Sequence, residues 1–265
     1  MSAHAKTILP KDLTSYDLLK SLAVIIMIAD HIGLYFYPEA LWWRVIGRTG
    51  FPVWFFLVGY ARGRDLPPKL LGGAGLLLLG NISAGMPVFP LSALVTIGLL
   101  RVSIDPLMRI FLKSPWFLWG GSALLFVLAI PTGFLTEYGT LAMIMAVFGY
   151  IVRHKETLPN KEHVFMYALL AFLSFIVTQF LTFSFSHFQF IIMSIGTAAI
   201  VAILYVFGLK TYPELTKTLP APVTWLLQFG GRRTLEIYVV HLLLFKALAT
   251  YWDLEGFGLL EWSWF

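Results

Sequence analysis

An all-α, polytopic transmembrane helix bundle is the fold class the sequence predicts, and three observations predict it. Hydrophobic residues fill 58% of the 265 positions and charged residues only 12%, where a soluble protein carries about a quarter charged. Mean hydropathy is +0.80, an apolar surplus that one globular core cannot enclose. The apolar residues fall in runs near the ~20 residues that cross a bilayer core. These features exclude a soluble enzyme, a disordered chain and a nucleic-acid-binding domain. The formal charge of +5 and the pI near 9.4 follow from Lys and Arg gathering on cytoplasmic loops, so no nucleic-acid partner is expected. With no cysteine, there is no disulfide, thiolate nucleophile or Cys-ligated metal, and no metal site is expected.

Apolar runs between charged or Pro-rich breaks place spans near 15–37, 45–62, 69–86, 88–108, 116–133, 138–152, 164–184, 188–208 and 226–250. That is about nine, with eight to ten compatible with the breaks. The first run is interrupted by Asp30-His31 and lacks an A-x-A cleavage pattern, so it reads as a retained helix. The third and sixth runs are short. The fourth carries Arg101 and Asp105-Pro106, where a helix would break. The longest connections, about 153–163 and 209–225, are short and polar, so residues 1–265 form one membrane-embedded domain. With the amino terminus inside, Lys6, Lys11, Arg62, Arg64, Lys69, Arg109, Lys113, Arg153, Lys155, Lys161, Lys210, Lys217, Arg232 and Arg233 are cytoplasmic. The other side receives Arg44 and Arg48 with the acidic Asp253, Glu255 and Glu261. An odd span count then puts the carboxyl terminus outside.

Ionisable groups inside a membrane are costly and point to function. In SYDLLKSLAVIIMIADHIGLYFY, eleven steps of 100° carry Lys20 to within about 20° of the face of His31, some ~16 Å deeper. Asp17 shares that face, and Asp30 points about 100° away toward a neighbouring helix. Asp17 and Lys20 also fit a snorkelling interfacial pair. Arg44 and Arg48, four apart, share a face suited to a substrate anion or to an ionised Asp30. They equally fit anchors beside Trp42 and Trp43. Arg62, Arg64 and Lys69 form a basic cluster suited to phosphates, or to the ordinary positive-inside bias. In FGGRRTLEIYVVHLLLFKAL, Tyr238 and His241 lie about 60° apart and Glu236 lies elsewhere. Tyr238 and His241 are expected to face a cavity, and Glu236 to pair with a base such as Arg233. Polar glue between helices is the alternative for all three.

A histidine beside a carboxylate suits general-base activation of a hydroxyl or amine, or acyl transfer through the imidazole. The pattern D-x-x-K-x10-H with the string MIADHIG, followed by RVIGRTGFPVWFFLVGY, resembles the TraX family, named for the conjugative-pilus pilin acetylase. It is also similar to the wider transmembrane acyltransferases, which include the type 3 acyltransferases of surface polysaccharides and the lysosomal glucosaminide acetyltransferases. Lys20 and His31 occupy the places of the basic residue and essential histidine in the type 3 members. RTLEIYVVH is similar to their late S-L-x-I-Y-x-x-H helix, with Thr234 in place of Ser. Those proteins usually have ten core spans, against nine here.

The resemblance implies acyl-CoA, usually acetyl-CoA, as cytosolic donor, with His31 and Asp30 at the reaction centre. Lys20, Arg62 and Arg64 would receive the donor in a bacterial inner membrane, and Arg44 and Arg48 would shape the acceptor side. A protein amino terminus, a glycan and a lipid all fit as acceptor. A proton-coupled transporter using Asp30-His31 as a relay is the rival class; a non-catalytic membrane subunit is the third.

Overall fold

The computed structural model describes residues 10–156 and 162–265; Lys6 and Lys161 of the charge reading lie outside them. In chain order the elements are β1 (Leu13–Thr14), α1 (Ser15–Phe36), α2 (Trp42–Arg48), α3 (Phe51–Tyr60), α4 (Pro68–Ser83), α5 (Ala93–Phe111) and α6 (Pro115–Val127). They continue with α7 (Ala129–Gly133), α8 (Gly139–Arg153), α9 (Glu162–Thr182), α10 (His187–Tyr205), β2 (Thr211–Tyr212), α11 (Pro213–Thr218), α12 (Ala221–Arg232) and α13 (Thr234–Tyr251). Among the described residues the bundle is helical apart from loops, the antiparallel β1–β2 pair and an isolated bridge between Leu91 and Thr136. Helices α1, α9, α10 and α13 are long and apolar enough to cross a membrane.

α1 starts where it does because Thr14 and Asp17 form a capping box: each side chain satisfies the other's backbone N–H. Asp17 also pairs with Arg232 at 3.0 Å. This buried acid therefore caps one helix and pins another.

α8 is the hub. From Ala142 to Phe148 every residue except Met143 is fully enclosed, as expected of a helix apolar all round. At 15 residues it spans only ~22 Å, and it is sheathed by protein. α3 lies against it at backbone distance. A Cβ on Gly59 would sit 1.7 Å from the Ala146 carbonyl oxygen, and one on Gly149 2.0 Å from that of Phe56. Small residues at both crossing points permit this approach. The outer faces carry bare apolar side chains: Phe165, Phe180 and Ile195 are each more than 60% exposed.

Cross-contacts define two ends. At one, Ser15 N–H donates to Lys210 O at 2.9 Å and Arg153 donates to Tyr60 O at 2.8 Å. At the other, the rings of Phe36 and Trp252 lie 5.7 Å apart and Val88 N–H donates to Ser263 O at 2.9 Å.

Three of the expected runs are subdivided. The 45–62 run splits into α2 and α3 because Pro52 has no N–H to offer the Arg48 carbonyl. The 116–133 run becomes α6 and α7, and the 226–250 run becomes α12 and α13 with Arg233 between them. The break expected at Asp105-Pro106 is absent. α5 runs through Pro106, losing one backbone bond, while Asp105 turns out to meet Arg64 at 3.0 Å.

Candidate active site

α13 packs alongside α1, and their polar side chains meet. Nδ1 of His31 lies 2.7 Å from Nε2 of His241, and the Tyr238 ring is 5.9 Å from that of His31. Tyr238 and His241 are both buried, so the late helix presents this face to protein rather than lipid. Nδ1 of His241 lies 2.6 Å from the Ile237 carbonyl oxygen, one turn back on its own helix.

Asp30, one residue before His31, faces α2. Its carboxylate meets Arg44 at 2.9 Å and Arg48 at 3.7 Å, and Arg44 also donates to the Asp30 carbonyl at 3.1 Å. Gly47 makes the approach possible, since a Cβ there would sit 2.2 Å from the Asp30 Cβ. Arg48 donates to the Tyr138 hydroxyl at 3.2 Å and lies 4.8 Å from the centre of the Phe183 ring, a cation–π distance. The sequence turned Asp30 about 100° from His31, toward a neighbouring helix. The structure gives the carboxylate to the two arginines and the histidine to His241, because adjacent positions on a helix point about 100° apart.

Two cavities converge on this cluster. The larger, about 580 Å³, runs from Pro10, Asp17, Lys20, Arg101 and Arg232 at the amino-terminal end of α1 down to Asp30 and His31. Between these ends its wall is apolar, with Met27, Trp54, Leu94 and Tyr238. The second, about 380 Å³, approaches from the other end past Leu34, Phe134, Gln179 and Phe183. Asp30, His31, Arg48, Glu137 and Tyr138 line both. Asp30 Oδ1, Arg48 Nε and Gln179 Oε1 are buried without a hydrogen-bond partner, and all three residues line the second cavity. Among the described residues no group of three His, Asp or Glu side chains could hold a metal ion.

Of the basic residues expected to receive a donor, Lys20 lines the larger cavity, 5.3 Å above the Tyr16 ring. Arg62 is exposed and lines neither cavity. Arg64 is spent on structure. It donates to the carbonyls of Val58 and Ala61 at 2.8 Å and of Gly59 at 3.3 Å, closing the end of α3. Glu236 pairs with Arg233 and Lys69, each at 3.3 Å, on the surface and away from both cavities.

Sequence reasoning missed Glu137, whose carboxylate accepts the Ala93 N–H at 3.0 Å and caps α5 from a neighbouring loop. A signal was present: Glu137 is the one charged residue between Lys113 and Arg153. Lys246 was missed too. It is buried on α13 and bonds to Asn81 and the Leu77 carbonyl.

The family described as TraX protein matches residues 15–249, a stretch holding both cavities' histidine and its partners. The chain is also similar to an uncharacterized protein of Rickettsia prowazekii (strain Madrid E), 33% identical over 156 residues. That match covers 57% of this chain and 61% of the relative, about three fifths of the relative's length. No solved structure matches. With most of its length matched, from the start of α1 into the last turn of α13, the chain belongs to the TraX family.

Proposed function

We propose that the protein is an integral membrane acyltransferase. It moves an acyl group, acetyl in the simplest case, from cytosolic acyl-CoA to a hydroxyl or amine at or across a bacterial inner membrane. The observation that carries this reading is the pair of cavities that enter from opposite ends and share His31. A transferase acting across a membrane needs a donor path, an acceptor path and one reacting group common to both.

The basic loops support an amino-terminal end of α1 on the cytoplasmic side. The donor's phosphates would sit at Lys20 and Arg101, cations at the mouth of the larger cavity, where Arg232 is already held by Asp17 and the Pro10 carbonyl. Its pantetheine arm would follow the apolar wall toward His31, ~16 Å deeper. Arg62 and Arg64 drop out of this role, the first for its position and the second for its bonds. The acceptor would enter the smaller cavity, where the unbonded Gln179 Oε1 and the Asp30–Arg48 ion pair would meet its polar groups. A protein amino terminus, a glycan and a lipid head group remain the candidate acceptors.

In the reaction the acceptor O–H or N–H proton passes to an imidazole nitrogen of His31 as the acceptor atom bonds to the thioester carbon. The C–S bond then breaks, and the CoA thiolate takes the proton back from the imidazolium and leaves as a thiol. Asp30 with Arg44 and Arg48 holds α1 and α2 in place around that step.

The same line of charged groups favours a second reading, a proton-coupled carrier with His31 as relay. Thermal unfolding with CoA separates the two. At a hundredfold excess over its dissociation constant, CoA stabilises a binder by about 2.7 kcal/mol, and a carrier of other solutes gains nothing. A melting curve unmoved by CoA and acetyl-CoA would sink the transferase reading.

A further inference from the structure

The two histidines fix each other's protons. Nδ1 of His241 lies 2.6 Å from the Ile237 carbonyl oxygen. A carbonyl only accepts, so this nitrogen carries the hydrogen. In the neutral ring Nε2 of His241 is then a bare lone pair. It faces Nδ1 of His31 at 2.7 Å, and two lone pairs at that distance would repel. Nδ1 of His31 therefore carries a hydrogen and donates it. Neutral imidazole has one N–H, so Nε2 of His31 is left unprotonated.

We infer that His241 is a positioning residue that locks His31 in the Nδ1–H tautomer, presenting Nε2 as the free base to the two cavities. The inference rests on the acyl-transfer reading for its purpose, but the tautomer follows from the geometry alone. Three facts support the assignment. His31 lines both cavities, and His241 is in neither lining. Asp30, the adjacent candidate for orienting the ring, is held by Arg44 and Arg48. The anchor of the lock, Ile237 O, belongs to the turn preceding His241 on the same helix, so its placement is set by α13 itself. A neutral nitrogen fixes the tautomer as a carboxylate would, without placing a second negative charge beside Asp30.

The test is nitrogen NMR of the whole protein, labelled with ¹⁵N-histidine, in lipid nanodiscs at about pH 8, above the ordinary histidine range. His31 is assigned by the resonances lost in His31→Gln. The expected spectrum gives His31 a protonated Nδ1 and an unprotonated Nε2. His241→Gln, whose side-chain oxygen can reach the place of Nε2 and accept, should keep that pattern; His241→Leu should lose it. If acetyl transfer is measurable, His241→Leu should lower kcat about 100-fold with KM for acyl-CoA unchanged, and His241→Gln less than about 10-fold. An Nε2–H tautomer at His31 in the unaltered protein would overturn the inference whatever the activity. So would an unchanged His31 pattern in His241→Leu. If that variant does not fold, the unaltered protein and the Gln variant still decide. The expected tautomer together with no acetyl transfer by any form would retain the lock and remove the acyl-transfer reading.

Discussion

Removing the Asp30 carboxylate should damage stability more than any other single change near the site. Asp30 and Arg44 side chains are each 8% exposed and 2.9 Å apart, with Arg48 the next cation at 3.7 Å. Asp30→Ala leaves two buried guanidinium groups side by side without the carboxylate that pairs them. Breaking a buried pair from one side costs about 3–5 kcal/mol. For a chain of this size each kcal/mol moves Tm by about 2–4 °C, so the variant should melt roughly 6–20 °C lower. The assay is thermal unfolding in detergent followed by tryptophan fluorescence, using the nine tryptophans of the chain. Asp30→Ala combined with Arg44→Met removes the closer pair whole and leaves Arg48 alone, so it should recover part of the loss, because the cost lies in orphaned charge. An unchanged Tm in Asp30→Ala, or strictly additive losses in the double variant, would refute the reasoning.

Gly47→Leu puts side-chain atoms where the Asp30 Cβ already lies. It should push α2 from α1, costing about 1–3 kcal/mol and lowering acetyl transfer, as unfolding and rate measurements would show. Lys20→Glu should raise KM for acyl-CoA at least about tenfold with kcat little changed. Arg62→Glu should leave both constants alone, and equal effects of the two would contradict the cavity's placement. Glu236→Gln breaks only exposed pairs with Lys69 and Arg233, so its cost should stay within about 1 kcal/mol.

The helical segments were legible because apolar runs of membrane length leave little else to form, and α1, α9 and α10 end within two or three residues of their sequence-read limits. Internal breaks were harder to place. Pro52 sits in the first turn of α3, where its missing N–H marks the break from α2, whereas Pro106 costs α5 one bond inside a helix that continues past it. The shared face of Lys20 and His31 was legible from helical period, and both line the larger cavity. That Tyr238 and His241 face a cavity was legible only in part: both are buried and Tyr238 lines the larger cavity, but His241 lies behind His31 in neither lining. Which acid or base would meet which partner was not legible, since that depends on how α1, α2 and α13 pack. Arg64 illustrates the limit: its sequence neighbours suggest a phosphate site, and only the fold shows three carbonyls waiting for it.

The central claim is that His31 is the reacting group between a donor path and an acceptor path. It is tested most directly by transfer of labelled acetyl from acetyl-CoA into membranes carrying the protein or its His31→Ala variant. CoA release can be followed in parallel with a thiol reagent on purified protein, since the chain has no cysteine. The account predicts label incorporation with the unaltered protein and a fall of at least about 100-fold in the variant, which should still melt higher with CoA. Incorporation at the unaltered rate by His31→Ala would contradict it.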